Sequence, residues 1–258
     1  MQLTPYIHER LKHKKILLMT HAVVGYPSLE ANWSMLAKMQ AADVDLVELQ
    51  MPFSEPMADG PLFVKANQEA LAQGITVDAY FSFMREVTRK FSFPVLMMGY
   101  YNTVFALGHQ QFCQRLEENG AKGYIIADLP LEEYGDLLDH SRACSQNPVL
   151  LTTPTNTESR LHEIFSQGQG FVYCVARKGV TGTSTRLDQD VQNFINRCRK
   201  HSDLPLALGF GLSEPEDIVM LQGKVEIGIV GTALLKTWEQ EGEAGYEKHL
   251  RRLAQARL

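Results

Sequence analysis

Residues 44–51 read VDLVELQM and are followed at 52–61 by PFSEPMADGP. In an extended strand side chains alternate between faces, so Val44, Leu46, Glu48 and Gln50 fall on one side and Val47, Leu49 and Met51 on the other. The wholly apolar side is the one to pack on helices, which turns Glu48 toward the interior, near the strand's C-terminal end. A carboxylate there is costly to bury unless it is paired, hydrogen-bonded or protonated. Glu48 is then either a salt-bridged core glutamate or a catalytic group of the kind that barrel enzymes carry at strand ends. The loop behind it adds Glu55 and Asp59. Asp59-Gly60-Pro61 has the form of a helix entry with Asp59 as its cap, and Glu55 reads as a solvated charge. Alternatively, Glu48 and Asp59 face one cavity as a carboxylate pair whose environments suit one to acid and the other to base duty.

Outward from this stretch the same unit recurs. Strand-like apolar runs stand at 16–20, 44–51, 94–99, 124–127, 149–152, 171–175, 205–208 and 226–230, with helical periodicity between them at 28–41, 60–72, 109–119, 132–145, 158–166, 188–200 and 213–222. Eight strands give about 32 residues per strand–helix unit, the repeat a βα unit needs. Strict alternation points to a parallel sheet, and eight units to a closed (β/α)8 TIM barrel formed by residues 1–258 as a single domain. An open doubly wound sheet is the alternative, but AVVGYPS after the first strand lacks the G-x-G-x-x-G fingerprint such sheets use. Leu3, Tyr6, Ile7 and Leu11 recur at helical spacing, which predicts a short N-terminal amphipathic helix packed on the domain.

Composition narrows the partners. The 258 residues are 45% hydrophobic and 21% charged, with a net charge of −5. That is a globular balance without the positive footprint of a nucleic-acid binder, and no apolar run reaches the roughly 20 residues that cross a bilayer. Cys113, Cys144, Cys174 and Cys198 have no C-x-x-C spacing, so neither a metal site nor a disulfide framework is expected; reduced thiols and a cytoplasmic location are.

Glycine gathers at the last three strand ends, in ARKGVTGTST (176–185), ALGFGLS (207–213) and IVGTALLK (229–236). Barrels often bind phosphate through the loops after their last strands and a helix N-terminus, where backbone N–H groups face the anion and glycine permits close approach. Gly182, Gly211, Gly231 and Thr232 fit such a cradle. Together these features indicate proton chemistry on a phosphorylated small molecule without identifying it.

The stretch LVELQMPFSEPMADGP (46–61) resembles the L-E-L-G-x-P-F-S-D-P-x-A-D-G-P signature of the tryptophan synthase alpha chain family. The resemblance continues in order through MGYYNTVFALG, GYIIADLPLEE, GFVYCVARKGVTG, LALGFGLSEPED and GIVGTALLK. It implies a (β/α)8 subunit that cleaves indole-3-glycerol phosphate to indole and glyceraldehyde 3-phosphate by a retro-aldol step. It also implies an alpha2beta2 heterotetramer with a beta subunit that carries pyridoxal phosphate, this chain holding no cofactor. By motif position Glu48 is the general acid/base, and Asp59 is the carboxylate that offsets positive charge on the ring nitrogen. Gly182, Gly211, Gly231 and Thr232 would bind the phosphate, and Tyr100, Ala127, Leu151, Tyr173 and Phe210 would line the indole pocket. Thr181 and Arg177 would sit on a loop that closes over the substrate, Thr181 touching Asp59, while the 55–57 loop and Asn102 would lie near the beta-subunit face.

Five positions depart from the family pattern: Gln50 for a glycine, Glu55 for an aspartate, Val64 for a glutamine, Ala176 for a serine, and His21 where an aromatic ring is usual. His21 reads on sequence as a size-tolerant substitution. Two rivals have other chemistry: a Schiff-base aldolase using Lys178 as nucleophile, and a non-catalytic barrel that only activates a beta partner.

Overall fold

The computed structural model describes residues 2–175, 189–209 and 211–258. Its strands are β1 (Leu17–Val23), β2 (Leu46–Gln50), β3 (Val95–Gly99), β4 (Gly123–Ile126), β5 (Asn147–Pro148), β6 (Leu151–Thr152), β7 (Val172–Val175), β8 (Leu206–Gly209) and β9 (Ile227–Val230). All pair in parallel, in the order β5-β4-β3-β2-β1-β9-β8-β7-β6. The two ends of that sheet are one passage of chain. β5 pairs with β4 through Gly123 and Asn147, and β6 pairs with β7 through Leu151 and Tyr173. Between them Val149 N–H donates to Tyr124 C=O at 3.0 Å and Leu150 C=O accepts from Tyr173 N–H at 2.9 Å. The strand expected at 149–152 therefore starts two residues earlier and is split into two short ladders, in part because Pro148 has no N–H to donate. The sheet curls into the (β/α)8 barrel that the alternation of elements predicted.

The helices are α1 (Leu3–Leu11), α2 (Leu29–Ala41), α3 (Pro61–Ala72), α4 (Val77–Lys90), α5 (Tyr101–Leu107), α6 (His109–Glu118), α7 (Leu137–Ala143), α8 (Glu158–Gln167), α9 (Gln189–Arg199), α10 (Pro215–Leu221) and α11 (Thr232–Gln255). Several begin on the side-chain caps their sequence offers. Ser28 accepts from Ala31 N–H at 3.1 Å, Thr76 from Ala79 N–H at 3.1 Å, and Thr157 from Arg160 N–H at 3.2 Å. The helix expected over 132–145 is broken, because Gly135 turns at φ +51° between a 3-10 turn (Leu131–Glu133) and α7. The helical reading of the sequence passed over α4, α5 and α11. α4 is the instructive case, since VDAYFSFMREVTRK is rich in strand formers yet buries Tyr80, Phe81, Met84 and Val87 on one face.

Strand parity divides the core into two layers. Leu46, Leu96, Ile125, Phe171 and Ile229 point inward, while Val47, Leu49, Val95, Met97, Val172 and Val230 meet the helices. Val44 breaks the expected alternation and packs with the outer layer, because the chain turns at Asp43 (φ +55°) and β2 begins only at Leu46. The barrel's lower, N-terminal end is plugged by α1. Leu3 and Ile7, both fully buried, join the inner layer, and the Thr4 hydroxyl donates to Gly170 C=O at 2.8 Å. Just inside that end the buried Asp45 carboxylate accepts from Arg257 (2.7 Å), Lys14 (2.6 Å), Arg10 (2.8 Å) and the Leu18 N–H (3.0 Å). One carboxylate thus ties the first and last helical segments to the sheet.

Truncation of the plug should register as a cavity in an otherwise filled core. Ile7→Ala is expected to lower unfolding free energy by about 2–4 kcal/mol in urea titration while leaving the far-ultraviolet circular dichroism of the folded protein unchanged.

Candidate active site

At the opposite, C-terminal end the inner layer stops short and leaves a cavity of about 290 Å³. Met98, Ile125, Ala127, Leu151, Tyr173 and Ile229 make apolar walls, as strand parity places them. One side is ionisable: Glu48 from β2, Asp59 from the loop behind it and His21 from β1. The rim is formed by Gly211–Ser213 after β8 and by Gly231–Ala233 at the start of α11, with Lys236 one turn further along that helix.

Glu48 is 3% exposed. Its Oε2 lies 2.8 Å from His21 Nδ1, and its Oε1 has no hydrogen-bond partner among the described residues. On the other edge of the imidazole, Nε2 lies 2.8 Å from Gln50 Oε1, and Gln50 Nε2 donates to Asp59 Oδ2 at 2.6 Å. The two carboxylates are thereby joined through the His21 imidazole and the Gln50 amide. The imidazole edge also packs on Phe63, ring centroids 4.7 Å apart. Asp59 is not the N-cap its sequence context suggested. Gly60 caps α3, and the Asp59 side chain turns inward to Gln50, with Asn67 Nδ2 at 3.5 Å. Burial pushes the Asp59 carboxyl above its usual 3.8, against the hydrogen bond from Gln50 and the nearby His21. Burial disfavours an imidazolium at His21, but the bond to Glu48 and the charges of Glu48 and Asp59 outweigh it and raise the pKa above 6.5.

The rim suits an anion. Gly231 precedes the first turn of α11, whose N–H groups open toward the cavity, and Gly211 takes φ +83°. α11 breaks at Gly242 (φ +66°), so the segment that starts at the rim is a short helix of its own. Gly209 serves the wall rather than the rim, since a Cβ there would stand 2.3 Å from the Tyr173 hydroxyl.

Of the residues expected in the site, Glu48, Asp59, Ala127, Leu151, Tyr173, Gly211, Gly231 and Thr232 share this cavity. Tyr100 is placed differently. It stands behind the wall, its ring stacked on Phe53 at 5.2 Å and its hydroxyl accepting from Ala58 N–H at 3.3 Å and bonded to Asp59, so it holds the loop instead of lining the pocket. Thr181, Gly182 and Phe210, with Arg177 and Lys178, lie outside the described residues. The sequence reading missed the inward strand residues Met98, Ile125 and Ile229, which parity alone could have supplied. It also missed Lys236, four residues after Thr232 on the same helix face, and it took His21 for filler.

A model of the tryptophan synthase alpha chain family matches residues 7–257. The chain belongs to this family. A tryptophan synthase alpha chain of Desulforapulum autotrophicum is 43% identical over 252 residues, covering 98% of this chain and all of that one. One from Syntrophotalea carbinolica is 43% identical over 247 residues, covering 96% and 98%. Among solved structures, a Mycobacterium tuberculosis tryptophan synthase superposes with a TM-score of 0.92 at 26% identity, over 99% of this chain and 98% of that one. An alpha-subunit variant from Pyrococcus furiosus gives 0.83 at 26%, over 92% and 97%. The family's barrel is therefore present over nearly the full length of the chain.

The strained state of Asp59 has a measurable sign. Its folded pKa is raised, so the folded chain holds a proton that the unfolded chain releases, and stability falls as pH rises from 3.8 through the folded value. Asp59→Asn removes that loss while keeping an oxygen for Gln50. The variant is expected to resist urea better than the parent at pH 7, and the advantage should shrink on titration to below pH 3.8.

Proposed function

We propose that this cavity carries out the alpha reaction of tryptophan synthase, cleaving indole-3-glycerol phosphate to indole and glyceraldehyde 3-phosphate, with Glu48 and Asp59 as its two working carboxylates. Indole is a poor leaving group until its ring carbon C3 is protonated. Glu48, in its acid form, gives a proton to C3; the ring becomes an indoleninium cation, and Asp59 offsets that charge at the ring N–H. The carboxylate left on Glu48 then takes the proton of the side-chain hydroxyl next to the scissile bond. The carbon–carbon bond breaks, its electron pair returns to the ring, and an aldehyde forms. Glu48 ends protonated, as it began, and no external oxidant or base is consumed.

The observation that supports this most is the unpartnered Oε1 of Glu48. A buried carboxylate oxygen with no partner among the described residues is costly unless a ligand's proton meets it, and Glu48 lines a cavity that joins an apolar slot to a helix N-terminus. Phosphate would sit on the N–H groups of Gly211, Gly231 and Thr232, and the indole between Ala127, Leu151, Tyr173 and Ile229. Thr181, Gly182 and Phe210 are proposed contributors on the strength of their family motifs. The chain itself would need no cofactor; pyridoxal phosphate would reside in a beta subunit that consumes the indole. Met57, 74% exposed on the loop carrying Asp59, and Phe105, 69% exposed on α5, offer such a partner apolar side chains. No helix among the described residues is long and apolar enough to cross a membrane, and a cytoplasmic location fits the substrate class.

Glu48→Gln keeps the shape and removes the proton. Indole release from indole-3-glycerol phosphate should fall by about 10²–10⁴-fold, with thermal unfolding close to that of the parent. Retention of more than half the parental rate would assign the acid/base role elsewhere.

A further inference from the structure

His21 and Gln50 are two of the five positions at which the sequence departs from its family, and the structure brings them into contact. With a glycine at 50 there is no side chain to reach either His21 or Asp59, and an aromatic hydrocarbon at 21 cannot bond Glu48. The bridge of Glu48 Oε2, His21, Gln50 and Asp59 Oδ2, with links of 2.8, 2.8 and 2.6 Å, therefore needs both substitutions at once. Its surroundings are shaped to it. A Cβ on Gly231 would come within 3.2 Å of His21 Cβ, and Phe63 closes the imidazole's other side.

The direction of each bond follows from chemistry. Asp59, ionised as its place opposite a cationic ring requires, only accepts, so the Gln50 amide presents N–H to Asp59 and its oxygen to His21. That oxygen also only accepts, so His21 carries a proton on Nε2. The remaining edge, Nδ1 against Glu48 Oε2, is then the place where one proton is shared. With that proton on Nδ1 an imidazolium donates to Oε2 and stabilises the carboxylate that Glu48 becomes after giving its own proton to the ring, while Oε1 has no hydrogen-bond partner among the described residues.

Resting on Glu48 as the acid/base of the proposed reaction, we infer that His21 and Gln50 are positioning residues of the proton transfer: His21 holds Glu48 by donating its Nδ1 proton to Oε2, and Gln50 orients the His21 ring by anchoring it to Asp59. The Nδ1 proton stays in the hydrogen bond to Oε2 throughout; the proton that cycles is the one on the other oxygen, Oε1, which leaves to the ring and is replaced from the substrate hydroxyl. Among the described residues the titratable groups facing His21 are Glu48 on β2, Asp59 on the loop, and, across the same cavity, Tyr173 on β7 and Lys236 on α11; from α3 and the end of β9 come Phe63 and Gly231. The two carboxylates dominate, in keeping with an imidazole that stays protonated above its usual range.

The test is the pH profile of indole release by the full-length chain, compared with His21→Phe and Gln50→Gly, which restore the family pattern singly, and with the double variant. The parent should lose activity as pH rises through the His21 titration. Both single variants should lack that limb and fall in kcat by about tenfold, KM moving little, and the double variant should be no worse than the poorer single one. Superimposable profiles and unchanged kcat in both single variants would overturn the bridge. Glu48→Gln, run alongside, separates the two levels: if it retains activity, the proposed reaction mechanism fails, whereas loss there with unaltered His21→Phe and Gln50→Gly removes the bridge alone. Should His21→Phe not fold, nitrogen NMR of the parent decides. His21 should keep its Nε2 proton at every pH, and its titration midpoint should drop in Glu48→Gln; a bare Nε2, or an unmoved midpoint, contradicts the assignment.

Discussion

Glu48 sits 3% exposed inside a barrel whose remaining inner side chains on neighbouring strands are almost all apolar, and bulk water reaches little of it. Its charge or its proton has to be managed by neighbouring groups, and one of its two oxygens is managed by His21. Much of the upper barrel answers to that constraint. His21 lies opposite Glu48 in the β1–β2 register, Gln50 follows two residues on along the same strand face, and the loop turns Asp59 inward instead of capping α3. Removing the cavity's apolar walls would let water in and weaken every one of these bonds, since their strength depends on a low local dielectric.

The two ends of the barrel divide the work. At the lower end the polar groups are over-satisfied, Asp45 taking four donors from both chain termini and the sheet, and α1 fills the opening with Leu3 and Ile7. At the upper end they are under-satisfied: Glu48 keeps an oxygen unpartnered, and Asp59 is held against its own desolvation. A rigid base permits a strained mouth, because the net stability of a domain is small and local losses at a site have to be offset elsewhere.

The barrel was legible because its signal is repetitive: eight apolar runs with helical intervals, and a β2 whose parity turned Glu48 inward. Where local chemistry overrode periodicity, the reading slipped. Pro148 divided the fifth strand, Gly135 broke the helix over 132–145, and α4 hid behind strand-forming residues that its amphipathic face outweighs. In the site, the glycines at the rim were readable since turns and helix starts have short signatures. The bridge was not. His21 and Gln50 are 29 residues apart in sequence, and a hydrogen bond between strands leaves no periodic trace; each looked like an isolated departure from a family pattern until the β1–β2 register set His21 opposite Glu48, within reach of Gln50. Tyr100, expected at the indole pocket from the family resemblance, instead meets Ala58 and Phe53 beside it, a contact that no motif encodes.

The central claim is one of orientation, that the indole ring lies toward Asp59 with C3 at Glu48 Oε1 and the phosphate lies on the start of α11. A crystal structure with an indole-3-alkyl phosphate that lacks the glycerol hydroxyls, and so cannot react, measures this directly. The ring N–H should lie within hydrogen-bond distance of Asp59, C3 should face Glu48, and the phosphate oxygens should sit on the N–H groups of Gly231 and Thr232. A ligand bound in the reverse sense, with its phosphate against His21 and its ring at the α11 rim, would contradict it.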